Sequence, residues 1–385
     1  MKKRKICVVI TARPSYSRIK TVLSAINKNP ILKLQLVLTG STLLEKYGST
    51  INIIEKDGFK IHEKIFCQLE GENPEIMAKT TGLAILELST VFNRLKPDLV
   101  ITIADRYETI ATSIAASYQN IPLAHIQGGE ITGSIDEKVR HANTKLADLH
   151  FVSSDDAKNR VIKMGECPDT IFNTGCPSMD IALSVVKNPK FNFDPFSKYG
   201  GVGKKININK DYLVVMQHPV TTEFENSKNN INETLQAICD LSIPTFWFWP
   251  NVDAGGDSIS KGLRSFRENS KFESIHFFKN MESEDFLRLI KNSKCLIGNS
   301  SVGIRESSLL GVPVVNIGTR QSGRKRSKGV IDVDYNKDEI KEAVKKQILN
   351  GLYKPEFIYG NGKSGELISN ILSSCKLTYN KKLTY

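Results

Sequence analysis

The sequence predicts two doubly wound α/β domains of Rossmann-like type, joined by a linker and facing each other across a cleft. Three observations predict it. Strand-like apolar runs alternate with helix-like periodic segments along almost the whole chain. That alternation lapses once, between residues 181 and 210. And 385 residues are more than one compact core usually holds. Strands apolar on both faces, each followed by a periodic helix, belong to a parallel sheet covered on both sides.

The elements follow in order. "KICVVITA" (5–12) reads as the first strand, and Ile19, Val22, Leu23 and Ile26 then recur at helical spacing. "LQLVLTG" (34–40) is strand-like, and a helical pattern covers 43–58. A long helix near 74–95 leads to "DLVITIAD" (98–105), a helix near 107–119, "IPLAHIQ" (121–127), a helix near 135–148 and "LHFVSS" (149–154). The stretch 181–210 is rich in Lys, Asn, Gly and Pro and reads as the linker. The rhythm returns with "YLVVMQHP" (212–219), a helix near 223–240, "PTFWFWPNV" (244–252), "SIHFF" (274–278) and a helix near 283–292. "CLIGNSS" (295–301), a helix near 303–310, "VPVVNIG" (312–318) and helices near 337–349 and 365–374 close the pattern. The expected boundaries are therefore 1–180 for the first domain, 181–210 for the linker, 211–365 for the second domain and 366–385 for a terminal helix and tail. No short-period repeat or low-complexity segment interrupts this.

Composition narrows the function. Apolar content of 40% and charged content of 24% are those of an ordinary globular protein. No apolar run approaches the roughly 20 residues that cross a bilayer. The basic start "MKKRK" precedes a short apolar run that ends at Arg13–Pro14 without a small-residue cleavage site, so it reads as a first strand and the protein is expected in the cytoplasm. Seven scattered cysteines without a CxxC pair argue against a disulfide framework and a thiolate zinc site, and the six histidines lack HExxH spacing. Neither a metal nor another cofactor is expected. The net charge of +12 is diffuse, densest at "KKRK" (2–5) and "RKRSK" (324–328), with no interleaved aromatics. Solvated lysines account for it better than nucleic acid or a membrane surface does.

Chemistry in such sheets gathers at the carboxyl ends of the strands. The polar residues there are Arg13, Asp105–Arg106, the run from His125 to Glu130, Gln217–His218, Asn251 and Asp253, and Asn299–Ser300–Ser301. "GNSSVGIRE" (298–306) is the most phosphate-like: Asn and two Ser at a helix start offer N–H and hydroxyl donors, though helix capping alone would also select them. Glu306 can accept from a ribose diol or be a solvated helix residue. Arg320 in "GTRQSGR" and Arg13 in "TARPSYS" suit bidentate phosphate contacts or plain surface loops. His218 before Pro219 is a fair phosphate partner, although a lone His is more often structural. Arg13 is not followed by GxGxxG, which disfavours dinucleotide binding. Asp105 ends an apolar strand, where an acid suits proton transfer or a helix cap. "HIQGGEITGSIDEKVRH" (125–141) adds Gln127, Glu130 and Asp136, and the glycines let the backbone approach a ligand. Ser134 and Glu137 form a capping-box pattern, which is assigned as the work of Glu137, and His141 follows a turn later.

The segments "ARPSYS", "ADRYE", "HIQGGEITGSIDEKVRHANTKLADLHF", "TGCPSMD", "WPNVDAGG", "IGNSSVGIRE" and "NIGTRQSGR" resemble, in order and spacing, the hydrolysing UDP-N-acetylglucosamine 2-epimerases. The resemblance runs to about residue 370. It implies the two-domain GT-B fold and a reaction that eliminates UDP to a glycal-like intermediate, then adds water with inversion at C2, releasing N-acetylmannosamine for sialic acid or related nonulosonic acids. It implies UDP contacts from Arg13, Ser17, Arg106, His218, Asn251, Ser300, Ser301, Glu306 and Arg320. Asp105 and Asp136 match carboxylates with acid–base roles in that family, with Gln127, Glu130 and His218 beside them. The partners it implies are the nucleotide sugar, UDP and further copies of the chain, as a homodimer or homotetramer.

Gln127 departs from the pattern, because related enzymes often carry a carboxylate there. An amide can hydrogen-bond a sugar but cannot act as a base. The departure leaves a 4-acetamido-6-deoxy nucleotide sugar as an alternative substrate. A non-hydrolysing 2-epimerase, a glycosyltransferase on the same fold, and a basic RNA- or membrane-binding protein are the remaining alternatives.

Overall fold

The computed structural model describes residues 2–44, 50–71, 74–132, 136–220, 226–250 and 274–384. The chain divides into two compact units. One comprises Met1–Glu130, Ile135–Asp180 and Tyr359–Tyr385, and the other Ile131–Ser134 and Ile181–Ile358.

The first unit is built on a seven-stranded parallel sheet. Its strands are β1 (Arg4–Ile10), β2 (Leu32–Thr39), β3 (Ile61–Ile65), β4 (Leu99–Ile103), β5 (Leu123–Ile126), β6 (Leu149–Val152) and β7 (Ile171–Asn173), in the order β3-β2-β1-β4-β5-β6-β7. Its helices are α1 (Arg13–Lys28), α2 (Thr50–Lys56), α3 (Pro74–Leu95), α4 (Thr109–Tyr118), α5 (Asp136–Leu146), α6 (Asp155–Lys163) and the start of α7 (Ser178–Lys187). The central strands are buried on both faces, as their continuous apolar runs require. Ile6, Val8 and Ile10 pack in one cluster with Ile19, Val22, Leu23 and Ile26 of α1, while Cys7 and Val9 face another with Leu88 and Phe92 of α3. Pro14 stands in the first turn of α1, where its missing N–H costs no hydrogen bond. The C-terminal helix Ser364–Ser374 returns to this unit and packs against α1. The Asp180 carboxylate accepts from the N–H groups of Ser364 and Gly365, both at 2.8 Å.

The second unit repeats the plan with β8 (Val202–Gly203), β9 (Leu213–Met216), β10 (Thr245–Phe248), β11 (Ile275–Phe278), β12 (Cys295–Gly298), β13 (Val314–Ile317) and β14 (Val330–Val333). The order is β14-β13-β12-β9-β10-β11-β8, and β8 alone runs antiparallel, against β11. Each sheet reverses its strand order once. In the first unit β1 lies beside β4, and in the second β9 lies beside β12. Such switch points open a crevice at the carboxyl ends of the two strands, because their following helices leave to opposite sides.

The sequence pattern passes over β3, β7, β8 and β14, and these are the four edge strands of the two sheets. An edge strand is covered less fully, so "IHEKI" and "VIDV" mix charge with apolar residues and lack the continuous run of a central strand. Helix α6 and the short helix Pro195–Tyr199 also emerge only here. The stretch 181–210 is not bare linker: it holds most of α7, the short helix and β8. The helix expected over 43–58 lies partly outside the described residues; within them a 3₁₀ turn spans Gly40–Leu43 and α2 covers Thr50–Lys56. All seven cysteines are free thiols. No described helix is long and apolar enough to cross a membrane.

Candidate active site

In the first unit the polar strand ends converge at the β1–β4 switch point. Strand β4 stops at Ile103, and Ala104 takes a left-handed backbone with φ of 63°. That turn delivers Asp105, which is 8% exposed, against the guanidinium of Arg140 from α5. Arg18 of α1 adds a second cation at 3.7 Å. Arg140 is itself 1% exposed and also donates to the Glu130 carbonyl at 2.9 Å. An ionised carboxylate accepts hydrogen bonds and protons but donates none. Asp105 is thus placed between two cationic side chains, and the capping role open to it in the sequence is not realised: α4 begins at Thr109, with no side-chain hydrogen bond at its cap.

The next strand end repeats the device. Gln127 follows β5 with φ of 70°. Residues other than glycine held there cost energy and cluster at functional sites. Its amide Nε2 donates to Cys176 Sγ at 2.8 Å, while Oε1 is buried without a hydrogen-bond partner. The two glycines that follow serve packing as much as any ligand. A Cβ on Gly128 would stand 2.8 Å from Thr144 Oγ1, and one on Gly129 would stand 2.3 Å from the Ala157 carbonyl. Glu130 is 5% exposed, and Asp136 opens α5. Glu137 faces His141, with Nε2 3.2 Å from Oε1, and Ser134 lies outside the described residues.

His125 sits beneath both turns with no exposed surface. Its Nε2 is 2.9 Å from the Ala104 carbonyl and its Nδ1 is 3.1 Å from Thr144 Oγ1. Burial is the largest influence on this ring and, with the charges of His150 and Arg140, outweighs the Ala104 carbonyl and Asp105, bringing its pKa down to about 3. The imidazole is therefore uncharged at neutral pH.

In the second unit the β9–β12 switch point gathers the other set. Gln217 and His218 follow β9, and both are nearly fully buried. Gly298 ends β12 with φ of 126°, and a Cβ there would lie 2.2 Å from the Met216 carbonyl. Asn299, fully buried, then bridges the two strand ends: its Oδ1 accepts from His218 N at 2.7 Å and its Nδ2 donates to the His218 carbonyl at 2.8 Å. Arg320 and Gln321, beyond β13, donate to the Asn299 carbonyl at 3.3 and 2.9 Å. Ser300 caps a 3₁₀ turn at Ser301–Gly303, and a five-residue helix, Glu306–Leu310, follows. The single helix start expected here is thus split, and its dipole is short; what remains are hydroxyl and backbone N–H donors. Arg305 is 1% exposed and donates to Ser301 Oγ at 2.8 Å. Glu306 Oε2 is buried with no hydrogen-bond partner, 4.0 Å from Arg305 Nε.

Of the expected site residues, Asp105, Gln127, Glu130 and Asp136 fall at the strand ends or helix start of the first switch point, and His218, Ser300, Ser301, Glu306 and Arg320 at the second. Ser17 lies in the first turns of α1. Arg106 turns to Glu108, with Nε 3.3 Å from Oε2. Asn251, Asp253 and the side chain of Arg13 lie outside the described residues. Sequence reasoning placed His125 and Asn299 among the polar strand ends but assigned neither a contact, and it gave no role to Arg140 or Arg18. Their signal was weak: each is a single polar residue whose partner lies far away in the chain, 35 residues for Arg140 with Asp105 and 81 for Asn299 with His218. Among the described residues no group of three or more His, Cys, Asp or Glu could hold a metal ion.

Comparison with known proteins decides what this pair of strand-end clusters belongs to. Residues 24–373 match the family model described as UDP-N-acetylglucosamine 2-epimerase. The chain belongs to that family. It is 33% identical over 380 residues to the UDP-N,N'-diacetylbacillosamine 2-epimerase (hydrolyzing) of Legionella pneumophila, covering 97% of each chain. It is 30% identical over 363 residues to the UDP-N-acetylglucosamine 2-epimerase of Neisseria meningitidis serogroup B, covering 94% of this chain and 91% of that one. In fold it is similar to the solved UDP-GlcNAc 2-epimerase of Methanocaldococcus jannaschii in complex with UDP-GlcNAc and UDP. The TM-score is 0.79 at 20% identity, over 96% of this chain and 99% of that one. The two-domain Rossmann-like architecture expected of a 2-epimerase is therefore the architecture found.

Proposed function

We propose that the protein is a hydrolysing 2-epimerase of a UDP-linked 2-acetamido sugar. It converts UDP-N-acetylglucosamine and water to N-acetylmannosamine and UDP. The observation that carries the reading is the buried Asp105, held between Arg140 and Arg18 at the β1–β4 switch point of a chain in this family. Asp105 accepts the C2 proton as UDP leaves C1, which gives a 1,2-unsaturated sugar. Water then delivers its hydroxyl to C1, and a proton returns to C2 on the opposite face, with Asp136 as donor and Glu130 in support. Proton transfer by a placed side chain is worth roughly 10²- to 10⁴-fold. Gln127 serves as a hydrogen-bonding partner of the sugar, not as a base. The charge gathering on the departing diphosphate is met by Arg13, His218, Arg320 and the Ser300–Ser301 donors, and donors placed in advance act without reorganisation. Glu306 accepts from the ribose diol, consistent with its buried, unpartnered Oε2. Ser17, Arg106 and Asn251 complete the nucleotide contacts. The same reading carries a cytoplasmic homo-oligomer.

A second reading changes only the sugar. An amide at 127, together with the name of the Legionella relative, favours a 4-acetamido-6-deoxy substrate, UDP-N,N'-diacetylbacillosamine. Proton NMR in D₂O with each nucleotide sugar tests both. The expected result is free UDP and a free 2-epimeric sugar carrying deuterium at C2, and the faster substrate identifies the C4 substituent. A product that keeps its nucleotide would overturn the hydrolysing assignment, and no conversion of either compound would overturn the proposal.

A further inference from the structure

Ala104 is an alanine in the left-handed region, where its Cβ crowds the following carbonyl at a cost of about 1 kcal/mol or more. Nothing in its own side chain favours that conformation. Its backbone is instead gripped from both ends by β5: its N–H donates to the Ile126 carbonyl at 2.9 Å, and its own carbonyl is 2.9 Å from His125 Nε2. A carbonyl only accepts, so Nε2 carries the proton, and in an uncharged ring Nδ1 is then the acceptor. The Thr144 hydroxyl lies 3.1 Å from Nδ1 and 3.0 Å from the Arg140 carbonyl, and it shares its single proton between these two acceptors. The network is packed tightly, for a Cβ on Gly128 would come within 3.0 Å of Nδ1.

The topology of these contacts matters more than their number. One face of the ring holds the residue immediately before Asp105. The other holds α5 one turn after Arg140, the partner of Asp105. A single side chain therefore sets both ends of the buried ion pair. We infer that His125 is a positioning residue, holding Ala104 in its left-handed turn so that Asp105 meets Arg140 and the reacting sugar. The inference rests on the proposed role of Asp105. It makes His125 a part of the framework and not a proton carrier, in spite of its place in a strand-end cluster where a catalytic histidine is the natural guess.

The test is a rescue experiment. His125→Phe removes the donor but keeps the ring volume, His125→Gln keeps an N–H donor at the Nε2 position, and Ala104→Gly makes the left-handed turn free of strain. Displacing Asp105 by a fraction of an ångström should lower the kcat of His125→Phe on the order of 10²-fold while KM stays within about twofold. His125→Gln should retain most of the wild-type kcat. Ala104→Gly in the His125→Phe background should restore at least about tenfold of the loss. A dead His125→Gln enzyme, or no rescue by Ala104→Gly, would overturn the inference and point to a titrating histidine.

Thermal melts of the wild type, His125→Phe, Ala104→Gly and the double variant give a readout that needs no substrate. Ala104→Gly should shift the Tm of the wild type and of His125→Phe by different amounts, because the two sites are coupled, and additive shifts would overturn the clamp. If the wild type converts neither nucleotide sugar, the functional reading fails while the melts still decide the clamp. Should His125→Phe not fold, Thr144→Val tests the other ring nitrogen: kcat should fall with KM held, and wild-type kinetics would count against the inference.

Discussion

Replacing Glu166 by Gln removes the anion shared by three donors from distant parts of the first unit. The carboxylate is 2% exposed and receives Lys145 Nζ at 2.6 Å, His150 Nε2 at 3.1 Å and Lys381 Nζ at 2.5 Å. Burial alone pushes its pKa upward, but these hydrogen bonds outweigh burial and bring it from 4.5 to about 2. A folded pKa below the unfolded one stabilises the fold above the unfolded value, and that stability is lost as pH falls towards the folded value. At about 1.4 kcal/mol per unit, the carboxylate contributes on the order of 3 kcal/mol at pH 7 and only about 1.4 kcal/mol at pH 3. Lys381 also donates to the Thr144 and Ala147 carbonyls at 3.1 and 2.5 Å, so the loss should reach the last turn of α5. Both tryptophans, Trp247 and Trp249, lie in the second unit, so their fluorescence cannot report this change directly. Hydrogen exchange in urea, read on peptides of β6 and α5 against β10, is the suitable assay. The difference between wild type and Glu166→Gln should be largest at neutral pH and shrink as acid is added. A difference that does not change with pH would refute the reasoning.

Four further outcomes are expected. Asp105→Asn should lower kcat by roughly 10²- to 10⁴-fold with UDP affinity retained in calorimetry, and lost UDP binding would mean that the residue is structural. Asn299→Ala breaks two buried hydrogen bonds to the His218 backbone, so UDP affinity should fall by about tenfold. Unchanged affinity would remove Asn299 from the nucleotide site. Gln127→Glu should slow turnover of the 4-acetamido sugar relative to UDP-N-acetylglucosamine, and an unchanged ratio would exclude Gln127 from sugar selection. The His125 ring protons should hold one chemical shift between about pH 8 and pH 5, because its pKa lies near 3, and a midpoint in that range would contradict its burial.

The legible parts of this protein were those that local chemistry dictates. Central strands announced themselves because burial on both faces excludes polar residues, as in Leu213, Val214 and Val215 of β9, all fully buried. Asp105 and the Asn299–Ser300–Ser301 run could be placed at strand ends for the same reason: polarity begins where the apolar run stops. Gln127 could be recognised as a departure, and its positive φ and partly satisfied amide give that departure a structural counterpart. The edge strands β3, β7, β8 and β14 were not legible, since a half-covered strand carries no unbroken apolar run. Nor was the break in the turn after β12, where Gly303 and Glu306 belong to different short helices.

By itself, then, the sequence determined the class of fold, the number of sheets and the acids and hydroxyls available at the strand ends. Periodicity and burial are properties of neighbours along the chain, and a single strand and its helix already express them. Only the tertiary structure decided which residues meet. Strand order places β4 beside β1 and β12 beside β9, and this brings Arg18 to Asp105 and Asn299 to His218. Packing of α5 against the sheet turned Arg140 and Thr144 towards Asp105 and His125, and the returning tail carried Lys381 to Glu166. Such pairs form only once long loops have closed, so their energetics depend on the assembled core and leave no period or spacing to read beforehand.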